Sequence, residues 1–283
     1  MTDANEIQSL YHFRSQQQRL YQNRIVVKVG TSTLTNEWGK SDLRAFDRLA
    51  CILSDIQNMG YEVILVSSGA IAVGVNKLNM KQHPSSMRMK QAAAAVGQCS
   101  IIYLYDKFFG EYDKTIAQIL LNAEDIEQEE KKENLINTFN ALLEMGIIPV
   151  VNENDSVSYT EIESEDRLFG DNDMLSAVVA VLCRAKRLVI LSDINGLYDM
   201  DPRLHPNATL IHRIEQIDDS VYSLAGGAGS RRGTGGMKTK LQAAQLATAQ
   251  GIDTTITNGK APEALYEIVQ GDPVGTLFAG KNA

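Results

Sequence analysis

Runs rich in valine and isoleucine recur along this chain with room for a helix between them: Arg24 to Val29, Tyr61 to Val66, Thr115 to Leu121, Ile147 to Val151, Arg187 to Leu191 and Thr254 to Thr257. Parallel strands need a crossover connection, usually a helix, so strand–helix alternation over most of a chain predicts a parallel sheet. Most of these runs show little apolar–polar alternation, as expected when helices cover both faces. The fold class expected is α/β, a three-layer α/β/α sandwich around a mainly parallel central sheet.

The segments between the runs support helices. Ser41 is placed to cap one whose Leu43, Phe46, Leu49, Leu53 and Ile56 repeat at three- and four-residue steps, and Gly60 ends it. Further helices are expected at 84–109, 133–145, 172–183 and 236–250. No repeat of fixed period and no Pro- or Ser-rich linker divides the chain, so residues 24–283 are read as one domain, with 1–23 as an N-terminal extension.

Charge and cysteine content narrow the partners. With 35 acidic against 27 basic side chains the formal charge is −8, which argues against nucleic acid or an anionic membrane as partner. Cys51, Cys99 and Cys183 have no metal or redox spacing and fit a reduced, cytoplasmic setting. The polar, Gln-rich N-terminus is neither signal peptide nor anchor, and no apolar run approaches the ~20 residues of a membrane-spanning helix.

Polar residues collect after the strand-like runs: Gly30-Thr31-Ser32, Ser67-Ser68-Gly69, Asn152-Glu153-Asn154-Asp155, Ser192-Asp193 and Asn258-Gly259. In an open parallel sheet these positions share the carboxyl edge, where ligands bind. Any one of them is equally a plain helix cap, but together they predict a site. The second signal is Gly226 to Lys240, with six of the chain's 21 glycines and Arg231, Arg232, Lys238 and Lys240 without an acid. Glycines let backbone N–H groups approach an anion, and a helix beginning near Gly236 would aim its positive end there. The segment reads as a phosphate cradle; the alternative is a surface loop with incidental basic residues. Walker A, dinucleotide-binding and protein-kinase signatures are missing, as are a nucleophile elbow and metal-ligand spacing around the histidines.

Six motifs then carry a resemblance: Val27-Lys28-Val29-Gly30-Thr31-Ser32, Ser67-Ser68-Gly69-Ala70, Val151 to Asp155, Gly170-Asp171-Asn172-Asp173, Leu191-Ser192-Asp193 and Gly233-Thr234-Gly235-Gly236-Met237-Lys238-Thr239-Lys240. In this order, from about Arg24 to Phe278, the chain resembles the glutamate 5-kinase family of the amino acid kinase superfamily. Gly30 is followed by Thr31, not by the second glycine usual in acetylglutamate kinases and aspartokinases. The resemblance is to a form without the RNA-binding-like PUA domain that many bacterial members append, and the loop Glu161 to Phe169 is longer than in many relatives.

The resemblance implies ATP and Mg²⁺, with L-glutamate as acceptor, an N-terminal part that binds the amino acid and a C-terminal part from about residue 185 that binds ATP. It implies catalytic roles for Lys28, Lys240 and Asp173, with Asp173 orienting the two lysines; by position alone Asp173 is equally a helix N-cap. Ser68, Asp155, Asn172 and Asn152 match its substrate-binding positions. Lys28, Ser192, Asp193, Thr234, Gly235, Gly236, Met237, Lys238, Thr239 and Lys240 match its ATP-binding positions. Proline as feedback inhibitor, through the region Leu121 to Asn137, and a homo-oligomer, dimer or tetramer, are further implications. Two other readings stay open: another small-acid or carbamate kinase on the same scaffold, and a non-catalytic nucleotide or amino-acid sensor.

Overall fold

The computed structural model describes residues 23–36, 39–157, 172–225 and 236–281. Its strands are β1 (Arg24–Val29), β2 (Glu62–Ser67), β3 (Ile116–Leu121), β4 (Ile148–Glu153), β5 (Arg187–Ser192), β6 (Arg213–Ile214), β7 (Asp253–Asn258) and β8 (Thr276–Phe278). The helices are α1 (Thr31–Leu34), α2 (Leu43–Asn58), α3 (Ala70–Lys77), α4 (Met87–Glu111), α5 (Glu124–Glu127), α6 (Glu129–Glu144), α7 (Asn172–Leu182), α8 (Asp219–Leu224), α9 (Met237–Ala249) and α10 (Ala264–Gln270). Each strand expected from the sequence forms within a residue or two of the expected ends. The two shortest, β6 and β8, and the helices α1, α3, α5, α8 and α10 were not expected, the strands being too short to show a period of two.

Described residues form one eight-stranded sheet in the order β3-β4-β2-β1-β5-β7-β8-β6. The pairings from β3 across to β7 are parallel, β8 runs antiparallel to β7, and β6 runs parallel to β8. The chain builds leftward from β1 to β2 and returns to place β5 on the other side of β1. This makes β1 the switch point, the place in such sheets where ligands bind.

Strand parity explains the layers. Val26, Ile64 and Val66 face one apolar cluster with Leu175 and Val179 of α7 and Leu241 and Ala244 of α9. Ile25, Val27, Val63 and Leu65 face the other, with Phe46 and Leu53 of α2, Tyr105 of α4 and Leu265 of α10. Both sets are apolar, so both faces must be covered. Helix α2 corrects one expectation: Asp42, not Ser41, is its cap, and its carboxylate accepts from the N–H groups of Arg44 and Ala45. An ionised cap is favoured over a hydroxyl at the positive end of a helix.

Helices α3 and α4 touch through backbone. A β-carbon on Gly74 would lie 1.8 Å from the carbonyl oxygen of Ala93, and one on Gly97 would lie 1.8 Å from that of Ala70. Gly110, near the other end of α4, has nothing within 4 Å of the same position. Gly97→Ala is therefore expected to cost about 3 kcal/mol or more, since backbone has to move. Gly110→Ala should be neutral or stabilise by about 0.5–1 kcal/mol, because alanine is the better helix former. Urea denaturation of the two variants beside the parent checks both signs, and equal midpoints would refute the close crossing.

Candidate active site

The switch point carries a charge where the pattern calls for an apolar residue. Lys28 follows Val26 by two positions in β1, so its side chain leaves the sheet on the side covered by α7 and α9. It is 7% exposed. Asp173, in the first turn of α7, lies in phase with Ala177 and Ala180 on the buried stripe of that helix and is 0% exposed. Lys240 shares its stripe with Ala243, Ala244 and Ala247 of α9 and is 7% exposed. It sits in the helix expected from about Gly236, on the buried side.

These three side chains meet. Lys28 Nζ lies 2.6 Å from Asp173 Oδ1, and Lys240 Nζ lies 3.0 Å from Asp173 Oδ2. Thr239 Oγ1 reaches the same Oδ2 at 3.1 Å. Burial alone would raise the Asp173 carboxyl, but the two ammonium groups overcome it and hold the pKa at about 2. Asp173 thus pairs with both lysines at once. The three formal charges sum to +1 in a site nearly closed to water, an arrangement that favours an anionic ligand.

Helix ends add to that field. Gly30 precedes α1 directly after β1, Gly69 precedes α3 directly after β2, and Gly236 is the N-cap of α9, none with a side-chain cap bond. Gly69 has φ +99°, which a side chain rarely adopts, and it lets the chain turn sharply from Ser68 into α3. The N-terminal N–H groups of α9, from Met237 to Thr239, have no partner within the helix ladder and are suited to phosphate oxygens. Lys238 is exposed beside them. Thr234 and Gly235, with the preceding basic residues, lie outside the described residues.

The residues expected to receive the amino acid lie on or just after β2 and β4 and at the start of α7. Ser68 is 7% exposed at the end of β2. Asn152 is 1% exposed; its amide donates to Gln98 Oε1 at 2.8 Å, and its own oxygen accepts from the N–H of Glu153 at 2.9 Å. That pair ties β4 to α4, and Gln98 escaped the sequence reading because one amide in a long helix carries no pattern. Asn172 brings a buried Oδ1 with no hydrogen-bond partner among the described residues, an acceptor that a donor could satisfy. Asp155 is half-buried, and burial with the nearby Glu153 carboxylate pushes its pKa up to about 7.

On the other side, Ser192 is 4% exposed at the end of β5 and donates to Asp193 Oδ1 at 3.2 Å, while Asp193 is exposed. Its backbone carbonyl accepts from the N–H of Gly259 at 2.7 Å, joining the ends of β5 and β7. A β-carbon on Gly259 would come within 2.3 Å of Thr33 Oγ1, so the loops after β1 and β7 meet too closely for a side chain. The sheet thus brings all five polar strand ends to one edge. The loop 161–169 lies outside the described residues.

The chain was compared with known proteins. The profile of the family described as "Amino acid kinase family" matches residues 23–258. The glutamate 5-kinase of Clostridium perfringens (strain 13 / Type A) is 53% identical over 258 residues, 91% of this chain and 96% of that protein. That of Listeria innocua is 48% identical, over 91% of this chain and 93% of its own length. Among solved structures, carbamate kinase from Giardia lamblia bound to AMP-PNP superposes with a TM-score of 0.64 at 15% identity, covering 91% of this chain and 98% of that one. Isopentenyl phosphate kinase of T. acidophilum, in a product complex, gives 0.61 at 16%, covering 90% and 99%. At such identities these two show the shared fold.

Two outcomes follow from the electrostatics. Asp173→Asn leaves two buried ammonium groups without their counter-charge and should cost about 3–5 kcal/mol in urea denaturation at pH 7. A depressed carboxyl gives stability that is present above the unfolded pKa near ~3.9 and lost only as the pH falls through about 2. For Asp155 the sign reverses: its raised pKa makes the fold lose stability as pH rises from ~4 to about 7. Asp155→Asn should therefore raise Tm at pH 8 and change it little at pH 4; an equal change at both would refute the shift.

Proposed function

We propose, for a chain that belongs to the amino acid kinase family and within it to the glutamate 5-kinases, that it transfers the γ-phosphoryl group of ATP to the side-chain carboxylate of L-glutamate. The products are L-glutamyl 5-phosphate and ADP, the first step of proline biosynthesis. The observation that carries the reading is the buried Lys28–Asp173–Lys240 group at the switch point.

The chemistry suits these residues. A glutamate side chain with pKa ~4.3 is already ionised at neutral pH, so its oxygen attacks without a general base. What remains is to hold two anions in line and to neutralise charge that spreads over the moving phosphoryl group. Lys28 and Lys240 supply that charge, and Asp173 holds them with no freedom to reorganise during the step. Ser192, Asp193 and the segment Thr234 to Lys240 receive the nucleotide in the part of the chain from about residue 185. Ser68, Asp155 and Asn172 receive the amino acid, with Asp155 opposite its α-ammonium, while Asn152 acts as a brace through Gln98.

Among the described residues no three His, Cys, Asp or Glu side chains gather as metal ligands. Mg²⁺ carried on the ATP phosphates would supply further charge neutralisation beside Lys28 and Lys240. Proline, with the same α-carboxylate and an ammonium, competes at the glutamate site next to Leu121 to Asn137. A homo-oligomer in the cytoplasm completes the reading; no described helix is long and apolar enough to cross a membrane.

With ATP, Mg²⁺ and L-glutamate, hydroxylamine should trap the acyl phosphate as a hydroxamate. Aspartate, one methylene shorter, should be poorer by about 10–200-fold. N-acetylglutamate should fail because its amide has no charge to offer Asp155. More hydroxamate from either than from glutamate would sink the assignment. Asp155→Ala should raise KM for glutamate far more than KM for ATP, and an equal rise would move Asp155 to the nucleotide side. Because an ammonium partner lowers the Asp155 pKa from about 7, glutamate affinity should weaken as pH falls below 7.

A further inference from the structure

Thr239 occupies the third position of α9, one residue before Lys240. Its hydroxyl has two acceptors within reach, Asp173 Oδ2 at 3.1 Å and the carbonyl of Gly236 at 3.0 Å. A hydroxyl carries a single proton, so it can serve one of them fully or divide itself between both. Back-bonding to a carbonyl three residues earlier is common for a helical threonine and by itself means little. The bond to Asp173 is different. It crosses from α9 to α7, and it ends on the oxygen that also takes Lys240 Nζ at 3.0 Å.

That geometry constrains the carboxylate in a way the lysines alone do not. Each lysine holds one oxygen through a flexible stem of four methylenes, so the carboxylate plane can tilt and both ammonium groups can follow. A hydroxyl on a β-branched side chain has one rotatable bond and is fixed by its helix. We propose that Thr239 is a positioning residue: its hydroxyl fixes the plane of the Asp173 carboxylate, so that Lys28 and Lys240 stay on opposite oxygens while the phosphoryl group moves. The second acceptor, Gly236, is the N-cap of α9. The same proton therefore links that cap to the carboxylate. Thr239 acts through Asp173 and contributes its backbone N–H, not its side chain, to the phosphate end of the helix.

The inference rests on the kinase reading, so the parent protein is first assayed by hydroxamate trapping with a panel of acids, and the variants are then measured with whichever acid it uses. Thr239→Val keeps the shape and removes the hydroxyl; Thr239→Ser keeps the hydroxyl and removes the methyl. The expected result is a kcat lowered roughly 10-fold in Thr239→Val with both KM values within about twofold, and near-complete recovery in Thr239→Ser. Placed in an Asp173→Asn background, Thr239→Val should have almost no further effect on kcat, since its route of action is gone. A raised KM for ATP with kcat retained would make the hydroxyl a nucleotide ligand and overturn the proposal. So would parental kcat in Thr239→Val, equal losses in both single variants, or loss of the folded circular dichroism spectrum in both.

Discussion

The carboxylate of Asp173 is the constraint around which the rest of the molecule is arranged. It holds two lysines from β1 and α9 within 2.6 and 3.0 Å, and it does so from the first turn of a third element. A buried charge with one partner removed is among the costliest defects a fold can carry. Once these three residues are placed, the relative depth of β1, α7 and α9 follows. The apolar stripes that continue along both helices keep them pressed to the sheet, so packing and site geometry depend on the same helix faces.

In the sequence it was the resemblance to glutamate 5-kinases that singled out Lys28, Asp173 and Lys240; the structure supplies the physical reason. A lysine between Val27 and Val29, in a run otherwise fit for burial on both faces, is out of pattern. So are an aspartate in phase with Ala177 and Ala180 and a lysine in phase with Ala243 and Ala247. A charge that falls on an apolar stripe must find a partner, and three such charges of mixed sign point to one another. The parallel strands were legible because their apolar runs are long enough to count. What remained hidden depends on contacts between distant segments. The cap of α2 passed to Asp42 because the helix starts at Leu43, the first residue of its apolar period, and not one residue earlier as a Ser41 cap requires. The Gln98–Asn152 brace and the Thr239 bond to Asp173 join elements whose spacing no local pattern reveals.

The site also reconciles a contradiction in charge. A chain with a formal charge of −8 repels the substrates of a kinase, all of them anions. The helix N-termini at the carboxyl edge and the lysine pair reverse that sign over a few ångströms. The opposite device operates at Asp155, whose carboxylate is made uncomfortable by burial and by Glu153. A site that stores such tension is less stable than it need be, and it releases the tension when a positively charged group arrives.

The place of β1 in the sheet has a consequence for how the chain is made. Its two neighbours are β2, which follows it closely, and β5, where Ile25 pairs with Arg187 and Leu191 with Val29. On a ribosome, more than half of the polypeptide emerges before that second edge can close. Until then this buried central strand presents an open row of backbone donors and acceptors, the kind of surface that templates aggregation. Neither lysine can be locked before Asp173 arrives, so the nascent chain holds the Lys28 ammonium group exposed and hydrated at the same open strand. Completion of the sheet and burial of the charge are thus late events, and the N-terminal half has the greater need of a chaperone's shelter while it waits.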